Sequence, residues 1–262
     1  MRRIAAWSVI LALIATGCST GDRVVVAAGT TLVDSQFMAR VLEEYAAGVQ
    51  ISVLGVSSLE ALALGASGSA EVLITHLPEA EEAFLADHPD AEQQTVFASH
   101  FVLVGPEAPQ LGTPDAVESL ELIAEAGHLF VSRSDGSGTA AKERELWGIA
   151  GVDPTGRSWY TETGQGMGFT LQVADQRGAF TLAEIGSFVA TASISLVPVG
   201  EAAEDERLAN PYRITLVEGA SDEARAFFDW MISDEGSAAV VAANVELFDD
   251  LLYAPALASL PP

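Results

Sequence analysis

Arg23-Val24-Val25-Val26-Ala27-Ala28, followed at once by Gly29-Thr30-Thr31, is the stretch whose reading decides the fold. After Arg23 it has no polar side chain, so it does not alternate as a half-solvated strand would. It reads as a strand buried on both faces, the kind found where helices cover both sides of a sheet. Gly29-Thr30-Thr31 breaks the run. Apolar residues at Phe37, Val41, Leu42 and Tyr45 then predict a helix starting near Asp34 or Ser35. The same unit recurs. Ile51–Val56 reads as a strand, and Ser57-Ser58 leads into a helix from Leu59 with serine as N-cap. Val72-Leu73-Ile74 reads as a third strand, followed by a helix that Pro78 opens. Phe101–Val104 reads as a fourth strand, closed by Gly105-Pro106. Strand–turn–helix units in series predict an α/β domain with a mostly parallel sheet.

A second set of units follows. Pro114–Ala126 reads as a helix, Leu129-Phe130-Val131 as a strand, and Arg133–Thr139 as a polar, Gly-rich turn before a helix over Ala140–Ala150. Ser158–Met167 reads as a polar loop, with helices expected over Gly168–Gln176 and Leu182–Thr191. Strands are expected at Ile194–Val197 and Asn210–Val217, an amphipathic helix over Ser221–Ser233, and a last helix from Ser237 after a break at Asp234-Glu235-Gly236.

Charge narrows the function classes. The chain has 37 acidic residues against 12 basic ones, and Lys142 is its only lysine. Phosphate backbones need a basic surface, so a nucleic-acid partner is excluded. Scattered acids without a long like-charge run fit a solvated surface that keeps an exported protein soluble.

The N-terminus predicts export. Arg2 and Arg3 precede an apolar stretch, Ile4–Ile14, too short for the ~20 residues that span a bilayer. Small residues Ala15, Thr16 and Gly17 then lead to Cys18, the only cysteine. This is a secretory signal peptide over 1–17. The cysteine at its cut point resembles a bacterial lipobox, with Ala15 where leucine is usual. The expectation is a lipidated Cys18, a spacer over 18–22, and anchoring to the outer face of the cell membrane. The 245 residues from Cys18 then carry no disulfide and suffice for one large or two modest domains.

The chemistry lies in the turns. Gly29-Thr30-Thr31, Ser57-Ser58, Arg133 with Ser134–Thr139, and Thr161–Met167 are small, polar and placed before helices. A helix start offers free N–H donors and about half a positive charge, and hydroxyls add donors. Such turns suit an oxyanion, which has only acceptors. Arg133 adds a planar fork suited to paired oxygens. The bland alternative is that each turn is merely a capped turn, and Asp135 is placed to pair with Arg133 and cancel it. Other motifs fail. Gly164-Gln165-Gly166-Met167-Gly168 lacks the dinucleotide spacing, Gly136-Ser137-Gly138 is not a nucleophile elbow, and the four histidines lack metal-ligand spacing. His76 follows a strand end and reads as a capped or solvated histidine.

Two segments carry a resemblance. Trp159-Tyr160-Thr161-Glu162-Thr163-Gly164-Gln165-Gly166-Met167-Gly168 and Val131-Ser132-Arg133-Ser134-Asp135-Gly136-Ser137-Gly138-Thr139 resemble the WYxETGQGMG and VSRGDxSGTH patterns of the extracytoplasmic tungstate-binding proteins of bacterial ABC importers, type II periplasmic binding proteins. Weaker matches at Thr75–Glu82, Phe101–Pro106, Arg177–Leu182 and Asn210–Tyr212 follow in family order. The resemblance implies a non-enzymatic, two-lobed receptor, each lobe a mostly parallel sheet flanked by helices, with tungstate in the cleft, or molybdate. It implies lobe I over 23–105 plus 211–262 and lobe II over 106–210. It implies binding by Thr30, Thr31, Ser57, Ser58, Arg133, Ser137, Gly138 and Thr139, and by Thr163, Gly164, Gln165, Gly166 and Met167, with no cofactor. The implied partners are a membrane permease and its ATPase, and the receptor is expected to be monomeric. Departures are Ala28-Gly29 where the family has further hydroxyls, Val56-Ser57-Ser58 in place of a GTG turn, and Ala140 in place of histidine. Phosphate and sulfate receptors of this fold remain as alternatives. A lipid-anchored hydrolase acting through Ser137, and a sensor without transport, are the rival classes.

Overall fold

The computed structural model describes residues 23–46, 48–107, 115–191, 193–199 and 205–256. The signal segment, Cys18 and its spacer lie outside them. The chain runs β1 (Arg23–Gly29), α1 (Thr30–Asp34), α2 (Phe37–Leu42), β2 (Gln50–Val56), α3 (Ser58–Ala66), β3 (Val72–Thr75), α4 (Pro78–Asp87) and β4 (Glu92–Gly105). It continues through α5 (Ala116–Ala126), β5 (Phe130–Ser132), α6 (Gly138–Ile149), β6 (Tyr160–Glu162), α7 (Met167–Arg177), β7 (Thr181–Glu184) and α8 (Ile185–Ala190). Then come β8 (Val197–Pro198), β9 (Ala209–Leu216), α9 (Asp222–Met231), α10 (Asp234–Phe248) and β10 (Ala254–Pro255).

The α/β class and the two-lobed arrangement hold. In β1, Val24, Val26 and Ala28 join a core with Phe37, Val41, Phe227 and Val240. Ala27 faces the other way, into a cluster with Leu62, Leu73 and Phe84, and Val25 packs against it. The strand is apolar on both sides because helices cover both sides. Each fully buried aliphatic side chain there stabilises by ~1.5–3 kcal/mol.

Strand direction departs from the mostly parallel expectation. β1 pairs in parallel with β2 and β3, and β5 in parallel with β6. β9 runs antiparallel to β3 and β4, and β7 and β8 run antiparallel to β4. The sheets are mixed because β4 and β9 cross between the lobes. Up to His100 β4 pairs with β9; from Phe101 it pairs with β7. One strand thus serves both sheets, and its polar first part, Glu92–Thr95, hid its length in the sequence.

Other boundaries shift for local reasons. The first helix begins at Thr30, directly after the Gly29 N-cap, and breaks where Gln36 takes φ 64°. Leu182–Glu184 belongs to a strand, and only the following Ile185–Ala190 is helical. Asp234-Glu235-Gly236 is the first turn of α10, not a break, with Ser233 as cap. Acids favour that position beside the positive helix end. Tyr160–Glu162, expected as loop, is a strand beside β5. The expected strand at Ile194–Val197 reduces to Val197–Pro198. No helix among the described residues is long and apolar enough to cross a membrane.

Candidate functional site

The turns singled out in the sequence meet across the two lobes. Arg133 Nη2 donates to Thr30 Oγ1 at 3.0 Å. A Cβ added to Gly136 would lie 3.4 Å from Ser57 Oγ, one on Gly138 would lie 2.6 Å from the His76 carbonyl oxygen, and one on Gly166 would lie 3.9 Å from Asp34 Oδ2. The turns after β1, β2 and β3 therefore face those after β5 and β6.

Arg133 is 2% exposed. Its Nε and Nη2 both donate to Asp135 Oδ2, at 3.0 and 2.7 Å. Its Nη1 is buried and has no partner among the described residues. Asp135 therefore holds the guanidinium without consuming it. The other carboxylate oxygen, Oδ1, accepts from the backbone N–H of Ser137 at 3.1 Å and from the Ser137 hydroxyl. A carboxylate has about four acceptor sites, and four donors fill those of Asp135. Thr139 Oγ1 is a second buried polar atom without a partner among the described residues. Leaving a buried donor unmade costs ~1–3 kcal/mol, more for a charged group, so these two atoms are the strongest local sign of an anionic ligand.

The helix starts differ in kind. Ser57 caps α3 by accepting from Glu60 N, and Ser137 caps α6 by accepting from Ala140 N. Gly29 and Gly166 provide no side-chain cap for α1 and α7, which leaves the first N–H groups there uncapped. Thr31 Oγ1 bonds to Tyr212 Oη at 3.0 Å, and Ser58 Oγ lies 3.5 Å from the His76 N–H. Thr163 Oγ1 donates to the Ser132 carbonyl and accepts from Gln165 N, so it staples its own loop. Gly164 sits at φ 62°, which favours glycine. The Gln165 side chain is exposed. Met167 is fully buried in the main core, so only its backbone is available at the start of α7. Asp34 lies four residues beyond Thr30; burial holds its carboxyl above the usual range, against the pull of Arg133.

Sequence reasoning missed the support behind this layer. His76 is buried rather than solvated. Its Nδ1 bonds Asn210 Oδ1 at 2.8 Å, and its ring stacks on Tyr212. Asn210 Nδ2 donates to Ser99 Oγ, which donates to Glu184 Oε1. The relay ties both crossing strands to the start of α8. Burial pushes the His76 imidazole down to about 4, so it is neutral at pH 7. The bonded pairs of this relay lie between 85 and 134 positions apart, and no local pattern announces them. Ser137 shows no arrangement for nucleophilic attack, because its hydroxyl is engaged by Asp135 and Ala140.

Two crossing strands, two α/β lobes and donor-bearing helix starts between them define a protein of the periplasmic-binding-protein fold with a ligand cleft between its lobes. Residues 15–235 match the model described as a PBP superfamily domain. Within that superfamily the chain belongs to the family of the tungstate-binding proteins: it is 31% identical over 273 residues to the tungstate-binding protein TupA of Peptoclostridium acidaminophilum, covering 94% of each. It is also similar to the structure of the tungstate ABC transporter from Geobacter sulfurreducens, at 33% identity and TM-score 0.73, over 84% of this chain and 98% of that one. The tungstate-binding protein TupA from Desulfovibrio alaskensis G20 matches at 25% identity and TM-score 0.71, over 89% and 98%. The protein is thus a binding protein and not an enzyme.

Proposed function

We propose that this protein captures tungstate outside the cytoplasm and delivers it to the permease of an ABC importer, with molybdate as the nearest competing ligand. The observation that carries the choice is the split role of Arg133. Its Nη1 is a buried donor without a partner among the described residues, while the adjacent acid, Asp135, is filled by donors from Arg133 and Ser137. Phosphate at neutral pH carries a proton that needs an acceptor; tungstate and molybdate carry none. Donor-bearing helix starts, with the acid beside Arg133 saturated, disfavour the protonated ion. The lobes are assigned as 23–105 plus 211–262 and 106–210; β4 exchanges partners from β9 to β7 at Phe101, ahead of that boundary.

Thermal unfolding in the presence of tungstate, molybdate, sulfate and phosphate, each at the same concentration, tests the reading. At a hundred times its dissociation constant a ligand adds ~2.7 kcal/mol, which raises the midpoint of a domain this size by about 5–10 °C. Tungstate and molybdate are expected to give that rise and phosphate none. A larger rise with phosphate would reject the assignment.

The receptor is assigned as a monomer held by lipid on Cys18, close to its permease. Two acyl chains give stable anchoring where one is marginal. Cys18→Ser is expected to move the protein from the membrane fraction to the soluble fraction while tungstate affinity is retained. Membrane retention of that variant would rule out the anchor.

A further inference from the structure

Behind the binding layer of the second lobe lies a buried acid that the site does not use. Glu143 is 1% exposed. It sits on α6 four residues beyond Thr139, on the same helix face. Its Oε1 accepts from Tyr160 Oη at 2.6 Å. On its other side, Leu103, Ala116, Leu120, Leu146 and Leu182 line a space with no room for water. No basic group forms an ion pair with it among the described residues.

The surroundings connect it to the donors. Tyr160 opens β6, which pairs with β5. Those two strands end at Arg133 and Thr163, and the Ser132 carbonyl accepts from Thr163 N at 2.9 Å. Glu143 therefore braces the helix that presents Ser137–Thr139 against the strand pair that presents Arg133 and Thr163. We propose that Glu143 is a positioning residue of the oxyanion site, and that a negative charge on it lowers oxyanion affinity. This rests on the oxyanion reading above.

Burial pushes the Glu143 carboxyl up to about 7, although hydrogen bonding from Tyr160, Ser132 and Trp147 opposes the shift. The groups facing it are few. Arg144 and the Trp147 indole act from its own helix, Tyr160 from β6 with Glu162 beyond it, and Ser132 from β5. The residues of β4, α5 and β7 that line the space on its other side, Leu103, Ala116, Leu120 and Leu182, are apolar. Ionisation near neutral pH thus places a negative charge without an ion-pair partner among the described residues behind Arg133, in a poorly screened place.

The test is calorimetric titration with tungstate at pH 6 and pH 8. In the wild type, affinity is expected to fall about three- to tenfold between them. Glu143→Gln keeps an oxygen for Tyr160 and removes the charge, so that fall should vanish. Glu143→Leu strands the Tyr160 hydroxyl and should weaken binding about tenfold at both pH values. Ligand-free unfolding gives an independent readout. A raised carboxyl stabilises the fold below its unfolded value near 4.5 and loses that contribution as pH rises through about 7. His76 acts oppositely between about 4 and 6.5, and it is present in both proteins. The wild-type minus Gln difference isolates Glu143. An unchanged pH profile in Glu143→Gln, or wild-type affinity in Glu143→Leu, would overturn this role alone. Absence of tungstate binding by the wild type would instead overturn the oxyanion reading.

Discussion

Alanine at Arg133 is expected to weaken tungstate binding by about a hundred- to a thousandfold, the 2–5 kcal/mol range for truncating one member of a buried charge pair. Two effects add. The Nη1 donor is lost, together with the Nη2 bond to Thr30 that joins the lobes. Asp135 then keeps its donors from Ser137 but has no cation beside it, so a neutral Arg133–Asp135 pair is replaced by a lone negative charge beside the anion. Arg133→Lys recovers little. One ammonium cannot hold Asp135, reach Thr30 and still offer a free donor, which the planar fork does at once. The double change Arg133→Ala with Asp135→Asn removes the stranded charge and should regain thermal stability without regaining affinity. Calorimetry and thermal melting on the three variants check this. Binding by Arg133→Ala within tenfold of the wild type would remove Arg133 from the site.

The parts of the molecule legible in sequence are those with a local signature. β1 was readable because Val24, Val26 and Ala27 face cores on opposite sides, which requires an unbroken apolar run. The donor turns were readable because helix starts favour Gly, Ser and Thr. Roles within the turns were less so. The motif containing Thr163 and Met167 marks a segment of the site, yet the Thr163 hydroxyl staples its loop and the Met167 side chain fills the core. A motif records what a segment needs in order to fold as well as what it needs to bind. Ser57 shows the same double use, since it is both a cleft hydroxyl and the cap of α3. Least legible was the crossing strand β4, whose polar start hides its pairing with β9. The relay from His76 to Glu184 was equally hidden, because single polar residues in separate apolar stretches show their purpose only once the strands are side by side.

Gly138→Ala is expected to weaken tungstate binding by about tenfold to a hundredfold while leaving the ligand-free fold intact. Gly138 opens α6, where alanine is the better helix former, so any loss must come from outside the helix. A methyl group there would meet His76 Cε1 and the His76 carbonyl oxygen, each at 2.6 Å, where ordinary contact lies at 3.4–4 Å. His76 cannot yield. Its ring is bonded to Asn210 and stacked on Tyr212, and its carbonyl follows directly on β3. The start of α6 must therefore withdraw from the first lobe by about 1 Å. It carries Ser137 and Thr139 with it, and through Asp135 it draws on Arg133. The 3.0 Å bond from Arg133 to Thr30 then opens, and donors from the two lobes no longer converge on one ion. Misplacement on this scale costs about a hundredfold where several groups must act together. Without ligand the lobes can relieve the clash by parting, and neither core is touched, so the unfolding midpoint should move little. Calorimetry gives the affinity. Small-angle scattering gives the closure: the wild type should contract on adding tungstate and Gly138→Ala should contract less. Equal contraction with equal affinity would mean that the His76–Gly138 contact is not where the lobes meet in the bound form.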